Sequence, residues 1–477
     1  MGRWPAGWPA SAYFVGVGGV AMSGLAILLA RRGVRVRGSD ASVYPPASDM
    51  LEAAGIPVAT PYDAAHLEPP AEIVVLGNAI SRGNPELERG LETGAPLVSL
   101  PEVIERLLVP DRVVTVVAGT HGKTTTTSIL AHLHRAAGRD PSFLVGGLPG
   151  NFESGAWLGA GQDLLLEGDE YDTAFFDKGP KFLHYWPRIA VIGAVEFDHA
   201  DIYADLAAVE RSFALLVRML PARGTLVVPA EDPVATRLAG SAPCRVVTFG
   251  SAPGARLRAV DRRDDEQGQS FRIERDGAPL GRVRLALAGE HNARNALAAL
   301  LAAEAAGLPI EQAAPLLAGF RPPRRRLEVT GAGGGIVVYD DFAHHPTAIA
   351  LTLATLRTLV PPGGRLVACF EPRSNTMVRR VLQAPLESAL AAADVVYLGQ
   401  VDRPERFAAD QRMDVAAVVA ALSARGIAAA GPLPPAAILE RVSRDARGGD
   451  RIVVMSNGAF GGLARRLGEF ASGRGRP

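Results

Sequence analysis

Apolar residues fall in short unbroken runs that end at Gly, Pro or charge, and these runs alternate with longer stretches of helical period. That pattern predicts strands buried on both faces and joined by crossover helices, an α/β chain with mostly parallel sheets. A strand over residues 13–17 meets Gly16, Gly18 and Gly19, continues as an apolar helix to about Arg32, and is followed by a strand over 34–38 that ends near Asp40. After a further strand at 73–76, residues 101–111 lead out of a first section. A second begins with the strand 113–117, a glycine turn and a helix carrying His132 and His134. The Arg/Pro cluster 320–326 reads as a hinge, and a third section places strands at 336–339, 366–370, 395–398 and 452–455 between helices. The expected division is 1–111, 112–321 and 322–477. No short-period repeat interrupts it.

Composition narrows the functional classes. Lys plus Arg and Asp plus Glu both total 50, so there is no basic field to hold a nucleic acid or an anionic membrane. Apolar runs break before the ~20 residues of a membrane span, and no stretch of signal-peptide length precedes the first glycine turn, so a cytoplasmic setting is expected. Cys244 and Cys369 each sit in an apolar run and read as core. Only three of the 50 basic residues are lysines, Lys123, Lys178 and Lys181. In a chain that otherwise uses Arg, such lysines mark places that need a compact, movable ammonium.

The candidate chemistry lies at strand ends. Gly16, Gly18, Gly19 and Ala21, with Asp40 downstream, fit the dinucleotide fingerprint, which by itself points to a nicotinamide oxidoreductase. Its physics is broader, because glycines let a backbone approach any pyrophosphate at a helix N-terminus. The turn Gly119-Thr120-His121-Gly122-Lys123-Thr124-Thr125 follows a strand and opens a helix, as a P-loop requires. Its amides would cradle phosphates, Lys123 would pair with the β- and γ-phosphates, and Thr124 would offer a hydroxyl to Mg2+. Two acidic clusters, Glu167-Asp169-Glu170-Asp172 and Glu196-Asp198-His199-Asp201, close what read as neighbouring parallel strands and suit a hard cation beside a nucleotide; a solvated acidic loop is the alternative. His291, Asn292 and Asn295 open a long helix, as nucleotide contacts or as a helix cap. Asp341, His344 and His345 sit at one strand end of the third section, and Arg373, Ser374 and Asn375 at the next. The paired histidines tempt a metal reading, but adjacent rings point apart.

Together, GTHGKTTT, EGDEYD, EFDHADIY, GEHNARNA, DDFAHHPT and the Arg325-Arg326 hinge resemble the Mur ligase family, which builds the peptide stem of bacterial cell-wall precursors. The resemblance covers nearly the whole chain, in family order. It implies a Rossmann-like UDP-sugar domain, a central ATPase domain and a Rossmann-like third domain that closes over the site. It also implies ATP and Mg2+, with an acyl phosphate formed on the lactyl carboxylate of UDP-N-acetylmuramate and expelled by an amine. Lys123, Glu167, His199 and Arg326 would then be catalytic, with Thr124, Glu167 and His199 around the metal. Gly119 to Thr125, His291, Asn292, Asn295 and Asp341 would serve ATP, and Gly16, Gly18, Gly19, Ser23, Asp40 and Asn78 the UDP-sugar. Within the family, GVGGVAMSGLA and DDFAHHPT are similar to the branch that adds L-alanine. DEYDTAFFDKGPKF and FEPRSNTM are more similar to the recycling branch, which implies L-alanyl-γ-D-glutamyl-meso-diaminopimelate as donor. Arg373, Ser374 and Asn375 supply the planar cation and amide that its carboxylates would need, with phosphate contact or loop capping as the alternative, and Lys178 and Lys181 read as reaching a substrate anion or as a solvated loop.

Overall fold

Each section builds its own sheet. The computed structural model describes residues 4–5, 7–44 and 47–474, so the extreme ends of the first and third sections lie outside the described residues. The first sheet is parallel, in the order β3-β2-β1-β4-β5, from β1 (Ser11–Val15), β2 (Arg35–Ser39), β3 (Val58–Ala59), β4 (Ile73–Leu76) and β5 (Leu97–Ser99). The first strand ends two residues earlier than its apolar run because Gly16, at φ +84, turns the chain. The amides of Gly16 and Val17 then both donate to the Ser39 carbonyl, at 2.9 and 3.0 Å.

The central sheet has ten strands: β6 (Val113–Ala118), β7 (Ser142–Leu144), β8 (Ala156–Trp157), β9 (Asp163–Gly168), β10 (Ile189–Ile192), β11 (Thr225–Pro229), β12 (Arg245–Gly250), β13 (Leu257–Asp265), β14 (Gly268–Arg275) and β15 (Ala278–Leu285). Their order is β15-β14-β13-β12-β11-β10-β6-β9-β7-β8. The two acid-bearing strands are therefore not neighbours: β9 and β10 flank β6 on opposite sides, so their acidic ends face the P-loop from both directions. The antiparallel meander β13–β15 is absent from the sequence reading. Its apolar residues Phe271, Ile273 and Leu285 are buried, while cross-strand pairs such as Arg258–Glu274 and Arg284–Asp265 line the outer face.

The third sheet, β16 (Glu328–Gly333), β17 (Ile336–Asp341), β18 (Leu366–Phe370), β19 (Val395–Gly399), β20 (Ala428–Leu433) and β21 (Arg451–Met455), runs β16-β17-β21-β18-β19-β20. It is parallel except for the edge strand β16. One hydrophobic cluster continues from Phe14 and the helix Val20–Arg31 through Leu144, Leu164 and Leu216, joining the first and central sections into one core. The third section keeps its own clusters on the two faces of its sheet. The hinge that carries it holds Arg325 at φ 60 and Leu327 at φ 49, a left-handed backbone that side chains seldom adopt and that accumulates at moving or functional segments.

Candidate active site

The P-loop occupies the crevice beyond the end of β6. Gly119 and Gly122 sit at φ +131 and +79, and a Cβ added at Gly122 would lie 2.5 Å from Asn295 Oδ1, so only glycine lets the helix Glu290–Ala305 close against the loop. Thr120 Oγ1 accepts from the Glu196 amide at 2.9 Å, and Thr125 is buried in the first turn of the helix Lys123–Ala136. Lys123 Nζ donates to the Gly119 carbonyl at 2.7 Å and to Glu170 Oε2 at 2.8 Å. Burial pulls the ammonium down, but Glu170 and Asp169 outweigh it and hold Lys123 above the usual lysine value. Glu170 is raised by burial yet brought to about 2 by Lys123 and His199.

Thr124 Oγ1 donates to Glu167 Oε1 at 2.8 Å, and the Gly146 amide to Glu167 Oε2 at 2.7 Å. His199, at φ 53, places Nε2 3.2 Å from Glu170 Oε1. Burial, and then the charge of Asp169, push the Glu167 carboxyl up against the Gly146 amide, Lys123 and the Thr124 hydroxyl. A carboxylate and a hydroxyl joined by a hydrogen bond beside a phosphate loop, with further acids next to them, fit a hard divalent cation such as Mg2+.

A second cluster lies on the β10 side. His121 Nε2 is 3.2 Å from Glu196 Oε2, Thr347 Oγ1 donates to the same oxygen at 2.6 Å, and His345 Nδ1 lies 3.4 Å from it. Burial raises the Glu196 carboxyl, but His121, Thr347 and His345 together bring it to about 2. The paired histidines do diverge: His344 Nδ1 turns back to the Phe342 carbonyl at 2.9 Å, while His345 reaches across to the central section. Burial takes His344 to about 4.

His291, which opens the helix Glu290–Ala305, has a buried Nδ1 with no partner among the described residues, and burial followed by Arg326 and Arg262 brings it to about 4. Asn292 Nδ2 donates to the Ala288 carbonyl at 2.8 Å and its Oδ1 accepts from Asn295 at 3.2 Å, so the pair is locked beneath the loop. Arg326 lies over the Phe342 ring at 5.2 Å. Asp341 is buried, and its carboxylate receives the Leu327 amide at 2.8 Å and the Ala343 amide at 2.9 Å, tying it to the hinge.

In the first section the Gly18 amide donates to Asp40 Oδ2 at 2.8 Å, so this turn already presents an N–H to an anionic oxygen. Gly19 is the N-cap of the helix Val20–Arg31, Ser23 is buried with its hydroxyl on the Val20 carbonyl at 3.1 Å, and Asn78 is exposed after β4. The remaining lysines separate. Lys178 is exposed and pairs with Asp172 at 2.7 Å, whereas Lys181 is buried, 3.1 Å from Asp169 and 4.1 Å from the centre of the Tyr171 ring.

Arg373 lies at the end of β18 between Glu371 and Asp402, at 4.0 and 3.7 Å, too far for hydrogen bonds. Ser374 Oγ accepts from the Met377 amide at 3.1 Å and Asn375 Nδ2 donates to Asp201 Oδ2 at 2.8 Å. From the sequence, Glu170 and Asp201 are expected only as members of acidic clusters suited to a cation, and Thr376 carries no expectation of its own. Glu170 takes both Lys123 and His199, and Thr376 Oγ1 accepts from the Ala200 amide at 3.1 Å. The EGDE run could have flagged Glu170, since two carboxylates beside a lone lysine compete for it.

A P-loop flanked by two acidic strand ends, with a separate domain reaching over it from a hinge, defines a nucleotide-dependent ligase. Profiles of the Mur ligase family, catalytic domain, the Mur ligase middle domain and the Mur ligase, glutamate ligase domain match residues 11–111, 117–303 and 325–458. The chain is 41% identical over 455 residues, 95% of its length and 97% of the relative's, to the Escherichia coli UDP-N-acetylmuramate–L-alanyl-γ-D-glutamyl-meso-2,6-diaminoheptandioate ligase. It is 38% identical, covering 94% of this chain and 91% of the relative, to the UDP-N-acetylmuramate–L-alanine ligase of Acidothermus cellulolyticus. A solved murein peptide ligase from Psychrobacter arcticus superposes with a TM-score of 0.73 at 32% identity, covering 97% of this chain and 98% of that one. The chain belongs to the Mur ligase family, ATP-dependent enzymes that form an amide bond.

Proposed function

We propose that the protein joins L-alanyl-γ-D-glutamyl-meso-diaminopimelate to the lactyl carboxylate of UDP-N-acetylmuramate at the expense of ATP, in the cytoplasm, during cell-wall peptide recycling. The observation that carries this reading is the 41% identity, over nearly all of both chains, to a relative named for that tripeptide. The glycine turn with Gly16, Gly18, Gly19, Ser23 and Asp40, and the exposed Asn78, would receive the UDP-sugar in residues 1–111; the Gly18 amide on Asp40 supports an anion there. Gly119 to Thr125 would hold ATP in residues 112–321, with Lys123 moving from Glu170 onto the transferring phosphate and Arg326 meeting it from the hinge. His291, Asn292 and Asn295 would line the nucleotide, with Asp341 brought near by closure. Thr124, Glu167 and His199 would hold Mg2+, which when bound neutralises phosphate charge. The carboxylate attacks the γ-phosphorus and ADP leaves; the donor amine then attacks the acyl carbon and phosphate leaves. Closure of residues 322–477 would exclude water, which otherwise hydrolyses the acyl phosphate.

On the donor side, Arg373 makes no side-chain hydrogen bond among the described residues and could grip a tripeptide carboxylate bidentately, beside Ser374 and Asn375, with Lys178 and Lys181 approaching from the acidic strand end. Phosphate release with UDP-N-acetylmuramate and a panel of amines tests the reading. The tripeptide should support turnover far better than free L-alanine, and Arg373→Ala should raise the KM for the tripeptide more than that for ATP. Preference for free L-alanine would move the protein to the alanine-adding branch.

A further inference from the structure

We propose that His121, Glu196 and His345 form a second, separate metal site, for a divalent transition ion of the zinc class, that clips the third domain onto the P-loop. The three side chains come from different places: the loop itself, the segment after β10, and the N-cap of the helix Pro346–Arg357 in the third domain. One ligand atom from each lies within 4.8 Å of the others, and both imidazoles converge on Glu196 Oε2, at 3.2 and 3.4 Å. Ligand atoms on a tetrahedral ion with bonds of about 2.0–2.2 Å are spaced by roughly 3.2–3.6 Å. Two imidazoles and a carboxylate select zinc, cobalt or nickel over magnesium, whose oxygen-rich cluster at Thr124 and Glu167 is built from other residues.

The hydrogen-bond pattern of His345 calls for a cation. Its Nε2 faces the Phe197 carbonyl at 3.3 Å, which cannot donate, so the ring proton is on Nε2. The Thr347 amide donates to Nδ1 at 3.4 Å, so that nitrogen carries a lone pair. Yet the same nitrogen is 3.4 Å from the Glu196 carboxylate, which is also an acceptor. An ion between them would displace the long Thr347 amide contact, take the single Nδ1 lone pair and turn two opposed acceptors into two ligands. The surroundings match a metal-bound histidine: a carbonyl fixes the far ring nitrogen, and the Thr347 hydroxyl orients the carboxylate at 2.6 Å. Because His345 belongs to the closing domain, an ion bound here favours the closed arrangement by linkage. The site is independent of which amine the enzyme uses.

Cobalt(II) is the probe, added to the full-length protein under a large excess of Mg2+. A His199→Asn background removes the imidazole of the magnesium cluster. One equivalent should bind with the visible bands of a low-coordinate cobalt centre, and zinc should displace it and raise the melting temperature. His345→Asn, which keeps a helix-capping acceptor, and Glu196→Gln should each weaken cobalt binding at least tenfold and abolish the zinc-dependent thermal shift. Should His345→Asn fail to fold, Glu196→Gln decides. Absence of the bands, or their persistence at unchanged affinity in a folded variant, overturns the proposal and leaves the cluster as a charged hydrogen-bond contact.

Discussion

Across the first seam, the helix Val20–Arg31 meets the central domain through apolar atoms. A Cβ added at Gly24 would lie 3.3 Å from both Ala156 Cβ and Leu144 Cδ1, and the side chains around it belong to a cluster running from Phe14 to Leu238. Across the other seam the contacts are polar. The Ala200 amide meets Thr376, Asn375 meets Asp201, Thr347 and His345 meet Glu196, and Arg451 meets Glu266 at 2.6 Å. Opening the first seam exposes apolar surface at ~25 cal/mol per Å². Opening the second exchanges hydrogen bonds for water at a net ~1 kcal/mol each. The first two sections therefore share one core, and the seam to the third is the cheaper of the two to open.

The largest effect separates chemistry from both seams. Lys123 makes its two contacts within the central domain, and Lys123→Ala should lower ligation by over ~100-fold, ~3 kcal/mol of transition-state stabilisation, in a steady-state assay. Next, Leu144→Ala should remove ~2–5 kcal/mol of stability by leaving a cavity beneath the helix Val20–Arg31. A denaturation midpoint unchanged from the wild type would show that the first seam is not a core. By contrast, Asn375→Ala combined with Thr376→Val, which removes two hydrogen bonds of the second seam, should cost about 2 kcal/mol of stability or less while raising the donor KM several-fold.

The smallest effect concerns His184, which ties the first seam through Glu105 at 2.9 Å and Asp177 at 2.8 Å. Burial works to lower this imidazole, but the two carboxylates outweigh it and raise it above its ordinary value. Its contribution is then fully present below about pH 6.5, the unfolded value, and is lost as pH rises through the higher folded value. The melting temperature should fall modestly across that window, and His184→Gln should flatten the decline.

Contiguity decided what could be read from the chain. Lys123 and Thr124 follow a strand and two glycines, so their role lies within one segment. Glu196 and His345 are 149 residues apart and meet only because the hinge returns the third domain to the end of β10. The expectation that adjacent histidines diverge was right for that pair and left out the partners each could find elsewhere. The meander β13–β15 escaped notice because Arg and Asp on its outer face interrupt the apolar run, although Phe271 and Ile273 keep the two-residue period of a half-buried strand.

The rarity of lysine has a practical side. Lys178 has 67% of its side chain exposed, against 12% for Lys123 and 9% for Lys181, and no other ε-amine exists in the chain. Among the lysines an amine-reactive dye or crosslinker meets foremost Lys178, on the loop that follows the acidic end of β9. Ordinary acylation chemistry thus becomes a positioned label near the nucleotide crevice, without an engineered cysteine.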